Sequence, residues 1–416
     1  MATLFLVVSV IGLLFTLNAF RPVRIDGLNV VSFFAGWLTS ELPLHHLVWQ
    51  AIATIVLITL GGLHGWMGAA ALVITLGSWS GLLVLARQGM RAGAVVDDAI
   101  REGLGIDPPA GLPTARQWKR LALPFRMRDP EVEKISNLTY VDGAGGKQRF
   151  DIYRRRDHPQ HAPVLFFIHG GAWMSGTDKQ YQGLPLMQHL AAQGWVCVSI
   201  NYRLSPRWAF PAHLIDCKLA LAWVKQHIAE YGGDPGCITV SGGSAGGHLT
   251  ALVALTAGRR DLQPGCEDLD LGVQAAVPFY GTYDFTNRDG IYSKGRMRFF
   301  AKTIMKATLA QDPELYRLAS PIDHITENAP PFMVIHGAND TLIPVEEARR
   351  FSALLRERSP APVVYAELPG AQHAFEVFRS IRTAEVVPRV EVFLRHVLGL
   401  GDPAKVAAEP EGDVAT

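Results

Sequence analysis

A chain of 416 residues with 39 basic and 38 acidic side chains has a formal charge of +1 and no basic low-complexity tract, so nothing in its charge points to a nucleic-acid binder. Its mean hydropathy of +0.15 is high for a soluble protein, and the excess sits at the front of the chain. The four cysteines (Cys197, Cys217, Cys237 and Cys266) show neither C-x-x-C nor zinc spacing, so free buried thiols in a reducing compartment are expected rather than a disulfide framework or a metal site.

Residues 1–20 carry no charged side chain; Arg21 and Arg24 follow, and then a short apolar patch at 30–38. From Leu42 to Ala86 the chain runs 45 residues without Asp, Glu, Lys or Arg. A helix crosses a bilayer with about 20 apolar residues. The stretch therefore has room for two crossings, joined at Gly61-Gly62-Leu63-His64-Gly65-Trp66. Transmembrane helices are predicted at about 2–20, 44–62 and 66–86, making an anchor of residues 1–90. The first segment lacks the basic start of a secretory signal, and Asn18-Ala19-Phe20 is a poor cleavage site, which favours a retained anchor. Arg21, Arg24, Arg87 and Arg91 flank the crossings on one side, while the 61–65 hairpin has no cation. The positive-inside rule then gives an integral inner-membrane protein with its N-terminus outside and everything past residue 90 facing the cytoplasm. A Pro- and Arg-rich linker is expected over 91–135 and a flexible tail over 401–416.

From 136 to 400 strand and helix patterns alternate, the signature of an α/β domain. Strands are predicted at 138–141, 150–153, 164–169, 196–201, 238–241, 275–280, 332–336 and 363–367, several as uninterrupted apolar runs suited to burial on both faces. Helices are predicted at 213–231, 345–357 and 386–397. The basic and aromatic stretch 285–325 interrupts the alternation and reads as an inserted cap. Its five cations from Lys294 to Lys306 surround Phe299, Phe300, Ile304 and Met305. Two readings stay open: a helix that docks on an anionic membrane surface, and an ordinary cap helix with its cations in water.

Gly242-Gly243-Ser244-Ala245-Gly246 fits G-x-S-x-G between an apolar strand and a helix-forming run, the pattern of a nucleophile elbow. A serine hydroxyl is a poor nucleophile and must stand clear of the backbone beside a base; a sharp turn with tiny neighbours does this. His169-Gly170-Gly171-Ala172-Trp173 follows the 164–169 strand and has the type and position of the H-G-G-G loop of lipases and esterases. Gly171, Ala172 and Ala245 are the candidate oxyanion donors, with His169 and Gly170 as structural parts of the loop. Asp340 at a strand tip and His373 after the last strand, 33 residues on, complete the order Ser, Asp, His. His336, His324 and His396 are alternative histidines, and Glu346 and Glu347 are fallback acids on a helix.

Asn201-Tyr202-Arg203-Leu204-Ser205-Pro206, Phe210-Pro211-Ala212, Asp216 and Tyr231-Gly232-Gly233-Asp234-Pro235, together with the elbow, resemble the hormone-sensitive-lipase-like branch of the α/β-hydrolases over roughly 136–400. The resemblance implies an α/β-hydrolase fold and a carboxylesterase or lipase that needs no cofactor. It also implies a triad of Ser244, Asp340 and His373. Two positions depart from that pattern: Gly243 stands where the branch often has Asp, and Ala172 where it has a third glycine. The expected partners are a small-molecule or lipid ester and membrane lipid, with no nucleic acid and no metal. An acyltransferase or aryl-formamidase-like amidase would use the same residues, and an inactive membrane scaffold is the remaining alternative.

Overall fold

The computed structural model describes residues 1–109, 120–141, 148–176 and 182–401; part of the expected linker (110–119) and nearly all of the expected tail (402–416) lie outside these residues. The chain opens with helices α1 (Ala2–Phe20), α2 (Asn29–Glu41), α3 (Pro43–Thr59) and α4 (Gly65–Leu104). Both α1 and α4 are long and apolar enough to cross a membrane, and α2 with α3 passes the same test as a pair bent by 91°. Helices α1 and α4 run side by side in the same direction. Hydroxyl pairs Ser9–Thr75 (2.8 Å) and Thr16–Ser78 (2.9 Å) join them, and Ser78 donates to Gln50 of α3 at 3.0 Å. Between apolar helices such polar pairs contribute on the order of 0.6 kcal/mol each and fix the register.

The remaining elements are β1 (Val132–Thr139), β2 (Arg149–Arg155), β3 (Ala162–Ile168), α5 (Leu184–Ala192), β4 (Val196–Ile200) and α6 (Ala212–His227). Next come β5 (Gly233–Gly243), α7 (Ala245–Leu255), β6 (Ala275–Phe279), α8 (Lys294–Phe299) and α9 (Pro313–Leu318). The chain closes with β7 (Phe332–Gly337), α10 (Glu346–Arg358), β8 (Val363–Leu368) and α11 (Ile381–Val397). The strands form one sheet in the order β1-β2-β4-β3-β5-β6-β7-β8. β2 is antiparallel to both its neighbours, and the strands from β4 to β8 run parallel. This is the α/β-hydrolase fold. The parallel strands are buried on both faces because α6, α7 and α10 cover one side and α4, α5 and α11 the other. Between β6 and β7 lie α8, a π-helical turn (Phe300–Met305) and α9, which carry Phe300, Ile304 and Tyr316 into the core.

The front of the chain differs from the sequence expectation in two ways. The patch at 30–38 is α2, a helix of its own, ended by Leu42 and the Pro43 that opens α3. A proline cannot continue a helix that precedes it, so the chain turns sharply there. Helix α4 does not stop near Ala86. It runs unbroken through the first part of the expected linker because Gly89, Ala92, Gly93, Val96, Ala99 and Ile100 keep helical spacing and are buried, packing on β8 and α11. Polar residues on its other face suggest a loop, but no proline occurs before Pro108, and the helix ends on the left-handed Gly105 at φ 68°. Arg389 of α11 grips Asp97 of α4 at 2.7 Å.

Candidate active site

Strand β5 delivers Ser244 into the turn before α7, where its φ of 60° and ψ of −121° leave the ordinary regions for a non-glycine residue. Such a conformation costs about 1–3 kcal/mol and persists only where its surroundings hold it. Here Ser244 N donates to Phe279 O at 3.0 Å and Ser244 O accepts from His248 N at 3.0 Å. The glycines follow from crowding. A Cβ on Gly246 would fall on the Ile168 carbonyl, and one on Gly247 would stand 2.5 Å from Phe279 O. A Cβ on Gly243 would lie 2.5 Å from Nε2 of Gln182 and 2.7 Å from the Tyr280 hydroxyl. The departure at Gly243 therefore matches a tyrosine that fills the space a larger residue would need.

The loop after β3 is strained at three successive residues: Gly171, Ala172 and Trp173 have φ of 112°, 54° and 58°. Burial of Trp173 holds it. The indole Nε1 donates to Nδ1 of His248 at 3.1 Å, and Trp173 O accepts from Ser205 N at 2.8 Å. Nε2 of His248 donates to Ala319 O at 2.7 Å, and burial pushes that imidazole down to about 3, so the ring stays neutral in this arrangement. Behind the loop His169 stacks on Tyr202 with 4.4 Å between ring centroids, and the Tyr202 hydroxyl donates to His169 O at 2.9 Å. Gly170 N donates to Gln182, whose amide donates in turn to Tyr280 Oη at 3.2 Å. The 201–206 motif braces this region: Arg203 binds Asp216 through its backbone N (2.8 Å) and through its guanidinium (2.8–3.0 Å).

Asp340 follows β7 and is buried. Its Oδ1 accepts from Leu342 N and Ile343 N at 2.8 Å each, and its Oδ2 accepts from Nδ1 of His373 at 2.6 Å. Burial works to raise this carboxyl, but the charge and hydrogen bonds of His373 and His336 outweigh it and hold Asp340 well below the usual carboxylate range. His336 sits on its other side, with Nε2 3.0 Å from Ile343 O and 3.3 Å from Oδ2 of Asp340. Glu347, one of the fallback acids, is committed elsewhere: it accepts from Tyr283 N (2.6 Å) and Asp284 N (2.9 Å), and burial raises it to about 8. Under His373 the Tyr280 ring lies 4.5 Å away and its hydroxyl donates to the buried Glu376. Among the described residues no group of three or more His, Cys, Asp or Glu side chains is placed to hold a metal.

Ser244, Ala172 and His373 line one cavity of about 290 Å³, closed on the cap side by Tyr292, Phe299 and Phe300. Its remaining wall was not foreseen: Val30, Phe33 and Phe34 of α2 reach into it. Phe33 stands edge-on to the His373 ring, with centroids 6.2 Å apart. The same region of the chain grips both loops that carry the acid and the histidine. Asn339 donates to Ala19 O (3.1 Å) and Phe20 O (3.3 Å) at the end of α1, and Arg24 donates to Ala338 O at 3.0 Å. Trp37 Nε1 donates to Ala374 O at 2.8 Å, and buried Glu41 pairs with buried Arg382. A stretch outside the expected catalytic domain thus completes the pocket. The available signal was the spacing of Val30, Phe33, Phe34 and Trp37, one helical face interrupted by no charge.

The family described as BD-FAE matches residues 150–355. The probable carboxylic ester hydrolase LipM of Mycobacterium tuberculosis is 43% identical over 405 residues, covering 94% of this chain and 93% of its own. The chain is an esterase of the hormone-sensitive-lipase-like branch. Esterase LipQ of the same organism is 38% identical to this esterase over 89% of its chain and 85% of LipQ. Among solved structures, apo esterase 2 of Thermogutta terrifontis superposes with a TM-score of 0.53 at 26% identity, covering 66% of this esterase and 97% of that chain. The same enzyme has been solved phosphoramylated by tabun (TM-score 0.53, 25% identity, 66% and 97% covered). The esterase hydrolyses carboxylic esters, as its relatives' names state of them.

Proposed function

We propose that this protein is a membrane-anchored serine carboxylesterase whose catalytic domain faces the cytoplasm and whose triad is Ser244, His373 and Asp340. His373 takes the Ser244 proton at Nε2 as Oγ attacks the ester carbonyl. The N–H groups of Gly171, Ala172 and Ala245 receive the oxyanion, and the start of α7 adds its dipole. The proton then leaves on the alcohol, and water, deprotonated by the same imidazole, releases the acid from the acyl-enzyme. Asp340 keeps the His373 proton on Nδ1 and stabilises the imidazolium. The observation that carries this reading is the 2.6 Å bond from His373 Nδ1 to Asp340 Oδ2, beside a cavity lined by both His373 and the strained Ser244.

The anchor reading rests on the length and apolarity of α1 and α4 and on the polar pairs between them. The cytoplasmic orientation rests on Arg21, Arg24, Arg87 and Arg91, all at the end of the bundle where the catalytic domain lies. A fluorophosphonate tests the chemistry, since Ser244 Oγ would displace its fluoride. Labelling of the full-length protein in vesicles is expected, and Ser244→Ala should abolish it. A variant lacking Ser244 that still labels would place the nucleophile elsewhere.

A further inference from the structure

The 19 residues of α1 span about 28 Å, close to the thickness of a bilayer's hydrocarbon core. Its last carbonyls, Ala19 O and Phe20 O, accept from Asn339, the residue beside Asp340. With α1 crossing a bilayer, the catalytic loops stand at the water–lipid boundary itself. Helix α2 then lies along that boundary, since it leaves α1 after a short loop and meets α3 at a 91° bend. Its composition fits the position. No charged side chain occurs from Gly27 to Ser40, and Leu28, Val30, Val31 and Phe34 are exposed by 55%, 47%, 65% and 60%. Apolar exposure of this extent on one helix is costly in water and favourable in the acyl region of a membrane.

The same helix has two working faces. Val30, Phe33 and Phe34 line the cavity that holds Ser244 and His373. Val31, Ser32 and Ala35, with Ile11, Leu14 and Phe15 of α1, line an apolar groove of about 380 Å³ on the outside of the bundle. At the N-terminal end of α2, beside Asn29, the catalytic cavity shares Tyr292, Arg296 and Leu342 with a polar groove of about 350 Å³ that also holds Arg24, Asp26, Asp340 and Glu346. The catalytic cavity is therefore apolar towards α2 and on most of its remaining wall, and it meets a polar surface only past Tyr292, Arg296 and Leu342, where the second groove begins.

We propose that the esterase takes its substrate sideways from the bilayer: a membrane-resident amphiphile whose long acyl chain enters over the Val30–Phe33–Phe34 face of α2. Its ester carbonyl reaches Ser244 without the chain leaving an apolar environment. The alcohol portion faces the polar groove at Arg24, Arg296 and Glu346 and departs to water. Each CH2 that stays out of water saves about 0.8 kcal/mol, so a long chain extracted through water would meet a barrier that the lateral route lacks. This inference rests on the Ser244 reading and on α1 as a membrane span.

The test uses the full-length protein in phosphatidylcholine vesicles and two fluorophosphonates, a hexadecyl probe preloaded in the bilayer and an ethyl probe in water. The readout is the ratio of the two labelling rates in wild type and in Phe34→Arg, whose side chain is 60% exposed in the structure. The ratio of hexadecyl to ethyl labelling is expected to fall at least tenfold. An unchanged ratio would overturn lateral entry and leave access from water. If Phe34→Arg loses the ethyl reaction as well, the same ratio measured on Val31→Arg decides, since Val31 is 65% exposed and lines the outer groove rather than the catalytic cavity. Absence of ethyl labelling in wild type would instead defeat the Ser244 reading.

Discussion

Replacing Asp340 by Asn removes one negative charge and changes almost nothing else in shape. Oδ1 of Asp340 already accepts from Leu342 N and Ile343 N, so the Asn oxygen stays there and its NH2 turns to Nδ1 of His373. The imidazole must then carry its proton on Nε2, where it cannot receive another from Ser244. The lost charge adds to this. Placing carboxylate and imidazolium centres about 4 Å apart at an effective dielectric of about 20 gives roughly 4 kcal/mol of stabilisation in the transition state. At about 1.4 kcal/mol per decade that is a loss of about a thousandfold, and the wrong tautomer extends it towards ten-thousandfold. Asp340 is not among the residues that line the catalytic cavity and only borders the adjoining groove, where Asn keeps its shape, so the loss should fall on kcat with KM within about threefold. Steady-state hydrolysis of p-nitrophenyl butyrate near pH 8 measures both, with thermal unfolding as the control for folding. A kcat loss under about tenfold in a normally folded variant would show that His373 is not oriented by Asp340.

Gly243→Asp, which restores the residue common in the family, should lower kcat at least tenfold, because the new Cβ presses Gln182 and Tyr280, which lie against Gly170 and the His373 ring; wild-type activity would refute the crowding argument. Stability should fall as pH rises. Burial raises Glu376 to about 7 and Glu347 to about 8, so the folded protein keeps protons that the unfolded chain has already lost above its ordinary carboxyl range near 4.5. The unfolded state binds fewer protons in that window, which makes the slope of unfolding free energy with pH negative up to about pH 8. Asp340 acts in the opposite sense, since its depressed carboxyl adds stability above its unfolded range and loses it only in strong acid. Melting temperatures between pH 6 and 9 should therefore decline, and Glu376→Gln should flatten the decline. A slope identical to wild type would mean that Glu376 is not protonated in the fold.

The sheet was legible because its parallel strands are short apolar runs bounded by turn residues, and 164–169, 238–241 and 332–336 read directly as β3, β5 and β7. Ser244, Asp340 and His373 were legible as candidates because each follows such a run at a strand's C-terminal edge. What stayed hidden depends on contacts distant in sequence. Trp37 meets Ala374 and Phe33 meets His373 across more than 300 residues, and α2 at 13 residues is too short to read as a span. The second half of α4 was hidden for another reason: its polar face satisfies α11 and water, so only the small residues at Ala92, Gly93 and Val96 mark the buried side. Gly243 and Ala172 looked like blemishes in a motif until Tyr280 and the Trp173–His248 bond gave them neighbours.

Helix α4 is one piece of 40 residues, about 60 Å long, with its front half in the apolar bundle and its back half in the hydrolase core. It works as a shaft without a universal joint. Adding a single residue near Ala86 would turn everything downstream by about 100° and lift it by about 1.5 Å. Adding seven would nearly restore the angle and still raise the domain by about 10 Å. Either change pulls Asn339 from the end of α1 and Ala374 from Trp37, because those bonds are made by the part of the chain that does not move. With those bonds made, the hydrolase core can neither swivel nor bob on the helical bundle. The loops that carry Asp340 and His373 are thereby held at one fixed height and heading against the bundle.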